Sequence, residues 1–294
     1  MVDTSWRQVT RSRIAVAAAP KSPRVRLLSS AVILGVLAVT VIVVPLVVNL
    51  NQQFVDLAIA NRPPSFAHPF GTDEMGRDVL LRVIYGLRVS LMVGIVAALV
   101  STVLGTLIGA LAGAAGGWVD RLLMRLVDTV ASVPHLLLGI VIVAVLGPSL
   151  TSVIISIGLT HWLSSARIVR SEILSLRGRP FIDAAIAGGS SRMRVMGRHL
   201  LPNVAPQVLL ATTLMIPHAV WHETALSFLG LGMPPHMASI GNMINDAKRS
   251  LLTGGWWMSL APGLVLVIAT LAISGLSGVW RDRLNPRRRS ELSW

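Results

Sequence analysis

Three long stretches without a charged side chain, residues 27–55, 89–119 and 129–166, decide the environment in which this chain can fold. An unpaired backbone polar group in hydrocarbon costs several kcal/mol, and a helix pairs these groups internally. A run of roughly 20 apolar residues therefore predicts a spanning helix. The first two stretches each hold one span. The third is too long for one helix, and Gly147-Pro148-Ser149 divides it where proline removes a helical hydrogen bond. Residues 206–229, interrupted by Glu223, and residues 258–280 add two more. With 53% apolar and only 13% charged residues, a soluble fold of 294 residues would lack the polar surface to cover itself. The predicted fold class is all-α integral membrane with six transmembrane helices, at about 31–50, 90–112, 124–146, 150–167, 206–229 and 258–280. Basic tails are expected at 1–30 and 281–294.

Charge sets the expected orientation. With the N-terminus in the cytoplasm, residues 1–30, 118–125, 167–202 and 281–294 lie inside and carry 20 of the 26 Lys and Arg residues. Arg62, Arg77, Arg82, Arg88, Lys248 and Arg249 fall on the other side. This asymmetry predicts that both termini are cytoplasmic, and it accounts for most of the net charge of +13. A nucleic-acid surface is not expected, because the arginines are dispersed among loops without a basic-aromatic platform. The first apolar run is too long for the core of a cleaved leader, and no small-x-small site closes it. The absence of cysteine excludes disulfides and thiolate metal sites.

Gly71, Gly76 and the mixed charges of residues 69–91 predict a turn leading into an amphipathic helix that enters the second span. In that span Gly105, Gly109, Gly113 and Gly117 recur every four residues, a spacing for close helix packing. Pro180 can open a short helix through Ala187, Gly188-Gly189 breaks it, and Ser190 or Ser191 can cap a second from Arg192 to Leu201, which Pro202 ends. This predicts a cytoplasmic helix-turn-helix.

Residues 183–202, DAAIAGGSSRMRVMGRHLLP, resemble the EAA loop of ABC importer permeases, with Asp183, Ala184, Ala185, Gly189, Leu201 and Pro202 filling its pattern. Asp183 stands where the family usually has Glu, and His199 where it usually has an aliphatic residue. The segments PFGTDEMGRDVLLRVIYGLRVSL (69–91) and ETALSFLGLGMPP (223–235) are similar to the second permease subunit of peptide and nickel importers. The resemblance extends from about residue 31 to 286. It implies a multi-pass protein of a bacterial inner membrane that pairs with a homologous second permease. It further implies docking on two ATPase subunits or domains through residues 180–202, and delivery of solute by an extracytoplasmic binding protein. Ala184, Ala185, Ile186, Met193 and Met196 would then enter an ATPase groove, with Arg192, Arg194 and Arg198 pairing at its rim. The implied cargo is di- or oligopeptide, with nickel or a related metal chelate as the alternative.

No Gly-x-x-x-x-Gly-Lys-Ser/Thr loop occurs, and neither Lys21 nor Lys248 follows a glycine, so ATP is expected on partner chains and no cofactor or enzymatic activity in this one. Ionisable residues within spans are candidates for the translocation path: Asp128, His161, His218, His222 and Glu223, together with Met215. Asp128, near Arg125, reads as an interfacial ion pair. His218 and His222, at i and i+4, share a helix face and can line a polar path, ligate a divalent metal or hydrogen-bond neighbouring helices. His161, His218 and His222 resemble positions in nickel permeases, and His236 can add an imidazole at the outer mouth. A metalloprotease is not expected, since His222-Glu223-Thr224-Ala225-Leu226 lacks the second histidine of His-Glu-x-x-His. A proton-coupled secondary transporter would often show two similar halves, and no internal repeat is evident.

Overall fold

The computed structural model describes residues 23–48 and 54–284. The expected basic tails lie mostly outside these residues. Where described, residues 23–30 open the first helix and 281–284 close the last.

Ten α-helices and no strand occur among the described residues. Helix α1 is Pro23–Val47, α2 Val79–Ala115, α3 Gly117–Ala131, α4 His135–Leu146 and α5 Leu150–Arg177. Then come α6 (Pro180–Ala187), α7 (Arg192–Val195), α8 (Leu201–Phe228), α9 (Ile240–Leu252) and α10 (Trp257–Leu284). Five helical stretches are long and apolar enough to cross a membrane, and α3 with α4 makes a sixth if the bent pair counts as one span. Their outer faces keep large apolar side chains exposed, such as Val36, Leu107, Val145 and Leu271, as a lipid-facing surface does.

The span expected at 124–146 is not one helix. α3 and α4 meet at 85°. Pro134 lacks an N–H and disfavours helical backbone in the residue before it, so the helix stops ahead of it. The Ser132 N–H then closes α3 on the carbonyls of Asp128 and Thr129. α3 carries Asp120, Arg121, Arg125 and Asp128 and is amphipathic, whereas α4 is apolar after its first residue, His135.

α2 is the central packing element. Its Asp78 caps the first turn by accepting from the Leu81 N–H at 2.9 Å. A Cβ on Gly105 would sit 2.5 Å from the Trp162 carbonyl oxygen, and one on Gly109 2.4 Å from that of Ala166, so α5 approaches α2 backbone to backbone. Gly113 faces Ile173 of α5, but Gly117 leaves the stripe: it has φ +56, opens α3, and meets nothing within 4 Å. Arg177 donates to the Gly113 carbonyl at 2.8 Å, and Arg170 forks onto Asp120 at 2.5 and 2.6 Å. α1 lies against α10, and Val41 belongs to the same core cluster as Leu266 and Ala269.

One end of the bundle carries residues 180–200. At the other, residues 54–78 and α9 form a cap. There the buried Asp73 accepts from Arg77 Nε at 2.7 Å, from Arg82 Nη1 at 2.5 Å, and from the backbone N–H groups of Met75 and Arg77. Arg82 reaches on to Asp246 of α9 at 3.3 Å, Ser250 donates to Glu74, and the Trp257 indole donates to the Thr72 carbonyl. A cleft of about 680 Å³ opens beside this network, lined by Asp73, Glu74, Arg82, His236, Asp246 and Lys248 among others.

Candidate functional site

Two features stand apart from ordinary packing: a group of histidines where α4, α5 and α8 meet, and the surface presented by residues 180–200.

His161 of α5 is 5% exposed. Its ring centroid lies 4.3 Å from that of His222, 5.0 Å from His218 and 5.2 Å from His135. His218 and His222 lie 4.8 Å apart, as neighbours one helical turn apart should. His161 Nδ1 is 3.1 Å from the Ile157 carbonyl and 2.7 Å from Thr160 Oγ1, while the Thr160 hydroxyl is itself directed at the Ser156 carbonyl at 2.8 Å. A carbonyl can only accept, so the proton belongs on Nδ1 and the lone pair on Nε2. That Nε2 is buried and has no hydrogen-bond partner among the described residues; neither has His135 Nδ1.

The structure brings His161, His218 and His222 together, while Glu223 and Asp128 are held by other partners. Glu223 faces away from the cluster. It is fully buried and accepts from Ser90 of α2 at 2.6 Å and from Ser227 at 2.8 Å, which makes it a packing link between helices. Met215 is buried. Asp128 pairs with Arg167 at 2.9 Å, not with Arg125, and both partners are largely exposed. The reason is reach: α5 runs beside α3 and delivers Arg167 to the carboxylate. His236 lines the cleft at the cap and does not join the cluster. His135 is the member that sequence reasoning missed. It is the sole ionisable residue in 129–160 and directly follows the helix-breaking Pro134.

At the far end, α6 carries Asp183, Ala184 and Ala185. Gly189 turns the chain with φ +80, and Ser191 accepts from the Arg194 N–H to cap α7. The second helix does not end at Pro202. A π turn, Met196–Leu200, joins α7 to α8, and Pro202 falls in the first turn of α8, where the wide turn accommodates its ring and missing N–H. The hairpin is thus one short helix folded against the base of a long one. Its inner face, Ile182, Val195 and Leu200, packs with Val169 and Ile173 of α5. Ala185 and Met196 join that inner packing, so they do not offer themselves outward. Ile186 and Met193 do, at 56% and 82% exposed, with Ala184, Gly189, Arg192, Arg194 and Arg198 also exposed. Leu201 and Pro202 are exposed at the base, and His199 is half-buried, its carbonyl accepting from Asn203.

Comparison with known proteins gives a consistent set. Residues 105–290 match the family described as binding-protein-dependent transport system inner membrane component. The chain is 38% identical over 263 residues to the oligopeptide transport system permease protein OppC of Escherichia coli K12, covering 89% of this chain and 87% of that one. It is 34% identical over 229 residues to the dipeptide transport system permease protein DppC of Bacillus subtilis, covering 78% and 72%. A putative peptide transport system permease protein of Brucella abortus is 38% identical over 260 residues, covering 88% and 87%.

Proposed function

Because the chain belongs to the family of binding-protein-dependent transport system inner membrane components, we infer that it is a membrane-spanning permease subunit of an ABC importer for di- or oligopeptides. The peptide assignment rests on the relatives' names and on their coverage of 78–89% of the chain. One structural observation carries the mechanical reading. A cluster of outward apolar and basic side chains at residues 184–198 stands at the foot of a helical stretch that runs unbroken from Arg192 to Phe228. A partner that grips this loop moves the membrane helix with it.

In this reading the loop end lies in the cytoplasm, in keeping with the excess of arginines there. ATP is bound and hydrolysed by ATPase subunits seated on Ile186, Met193 and the flanking arginines, since this chain carries no phosphate-binding loop. The capped end, with its cleft beside Asp73 and Asp246, faces the solute-binding protein. A homologous second permease closes the path against the face that exposes His218. Rigid-body motion of the packed helices then alternates access between the two sides.

The test is ATP hydrolysis by the reconstituted importer, with its binding protein supplied empty, loaded with short peptides, or loaded with chelated nickel. Stimulation by the peptide-loaded form alone is expected. Stimulation by the nickel-loaded form alone would overturn the cargo assignment.

A further inference from the structure

We propose that His161, His218 and His222 form a binding site for a divalent transition-metal cation of the zinc, cobalt, nickel and copper class, with a fourth position open beside His135. One ring nitrogen from each of the three lies within 4.8 Å of the others. Tetrahedral coordination at metal–nitrogen distances of about 2.0–2.1 Å needs ligand atoms roughly 3.3 Å apart. Binding would close that gap by rotation about the histidine side-chain bonds.

The chemistry of each ring supports the assignment. His161 holds its proton on Nδ1, toward the Ile157 carbonyl and Thr160 Oγ1, and leaves a buried Nε2 without a partner on a ring 4.3 Å from His222 and 5.0 Å from His218, centroid to centroid. A metal-bound imidazole normally has this outer arrangement, one nitrogen on the metal and the other donating to a carbonyl or hydroxyl. A buried imidazole nitrogen without a partner is costly in a membrane interior, and a cation supplies the partner. The donor set also selects the ion. All three ligands are imidazole, the chain has no cysteine, and Glu223 is bound to Ser90 and Ser227, so magnesium and calcium find no oxygen cage. His218 is exposed, which gives an ion a route in and leaves its charge partly solvated.

Occupancy has a mechanical consequence. His161 stands on α5, and His218 and His222 stand on α8, so a bound ion ties these helices together at mid-span. The site therefore acts as a brake on transport whose release requires loss of the ion.

The experiment uses the assembled importer in lipid nanodiscs, titrated with cobalt(II) chloride or zinc chloride alone. Cobalt should give the visible absorption bands of tetrahedral nitrogen coordination, at one ion per copy of this chain. His218→Gln combined with His222→Gln should weaken binding more than about tenfold. Zinc should inhibit peptide-stimulated ATP hydrolysis in the wild type, relative to its own metal-free rate, and magnesium in excess should not relieve this. Absence of the cobalt bands in the wild type would overturn the proposal, and this readout stands even if the double variant fails to assemble. Undiminished binding in an assembled double variant would equally overturn it.

Discussion

Asp73 holds two guanidinium groups and two backbone N–H groups with a single carboxylate, and it is almost wholly shielded from water. Removing it would strand Arg82, whose side chain is 4% exposed, with only the longer contact to Asp246. Breaking one side of a buried pair costs about 3–5 kcal/mol. Asp73→Ala should therefore lower the thermal midpoint of the purified importer sharply and reduce its yield. Asp246→Ala should cost about 1 kcal/mol or less, because that carboxylate is 45% exposed. Equal losses in thermal melts of the two variants would contradict this ranking. Glu223 shows why residue roles were only partly legible. Its charge within an apolar stretch marks it as unusual, but the hydroxyls that bind it come from Ser90, 133 positions away, and from Ser227. The i+4 spacing of Ser227 is visible in the sequence, but nothing local shows that Ser90 meets Glu223. His135 was missed for the same reason: its neighbours belong to α5 and α8.

At the scale of elements, hydrophobic run length marks which segments are helices apolar enough to span, because the bilayer sets a minimum apolar length, but α2 at 37 residues extends well beyond its expected span. Breaks inside a run were less legible. Gly147-Pro148-Ser149 divides the run as expected, with Ser149 capping α5 through the Ser152 N–H, but Pro134, fourteen residues before Pro148, performs a similar service and turns the chain by 85°. The glycine spacing in α2 predicts close packing, and the structure identifies α5 as the neighbour at Gly105, Gly109 and Gly113. Gly109→Leu would drive a side chain into the Ala166 backbone and should destabilise the importer by about 1–3 kcal/mol or more. Gly35→Leu in α1, where no neighbouring element comes within 4 Å of a Cβ, is the matched control and should not lower the melting midpoint. A neutral Gly109→Leu would mean that α2 and α5 can separate without cost.

For the whole molecule, the proposed function makes the loop of residues 180–200 the place where external work enters. Gly189 has φ +80 and no atom within 4 Å of where a Cβ would stand, so a bulky residue meets only local backbone strain of about 1–2 kcal/mol. Gly189→Trp should insert normally yet lose at least about tenfold in peptide uptake, with ATP hydrolysis no longer matched to transport. Normal uptake at normal membrane abundance would remove the docking assignment. The loop's motif was legible in the sequence, whereas the continuity of its second helix through Pro202 was not, because the π turn that permits it has no simple residue signature.

That π turn has a geometric consequence. Each residue advances an α-helix by about 100°, so the residue accommodated in the wide turn of Met196–Leu200 fixes the angular phase between Met193 below it and His218 and His222 above. The face proposed for docking and the face that carries the two histidines are clocked against each other by that one turn, so a twist applied at the foot would reach the histidines already pointed in a set direction.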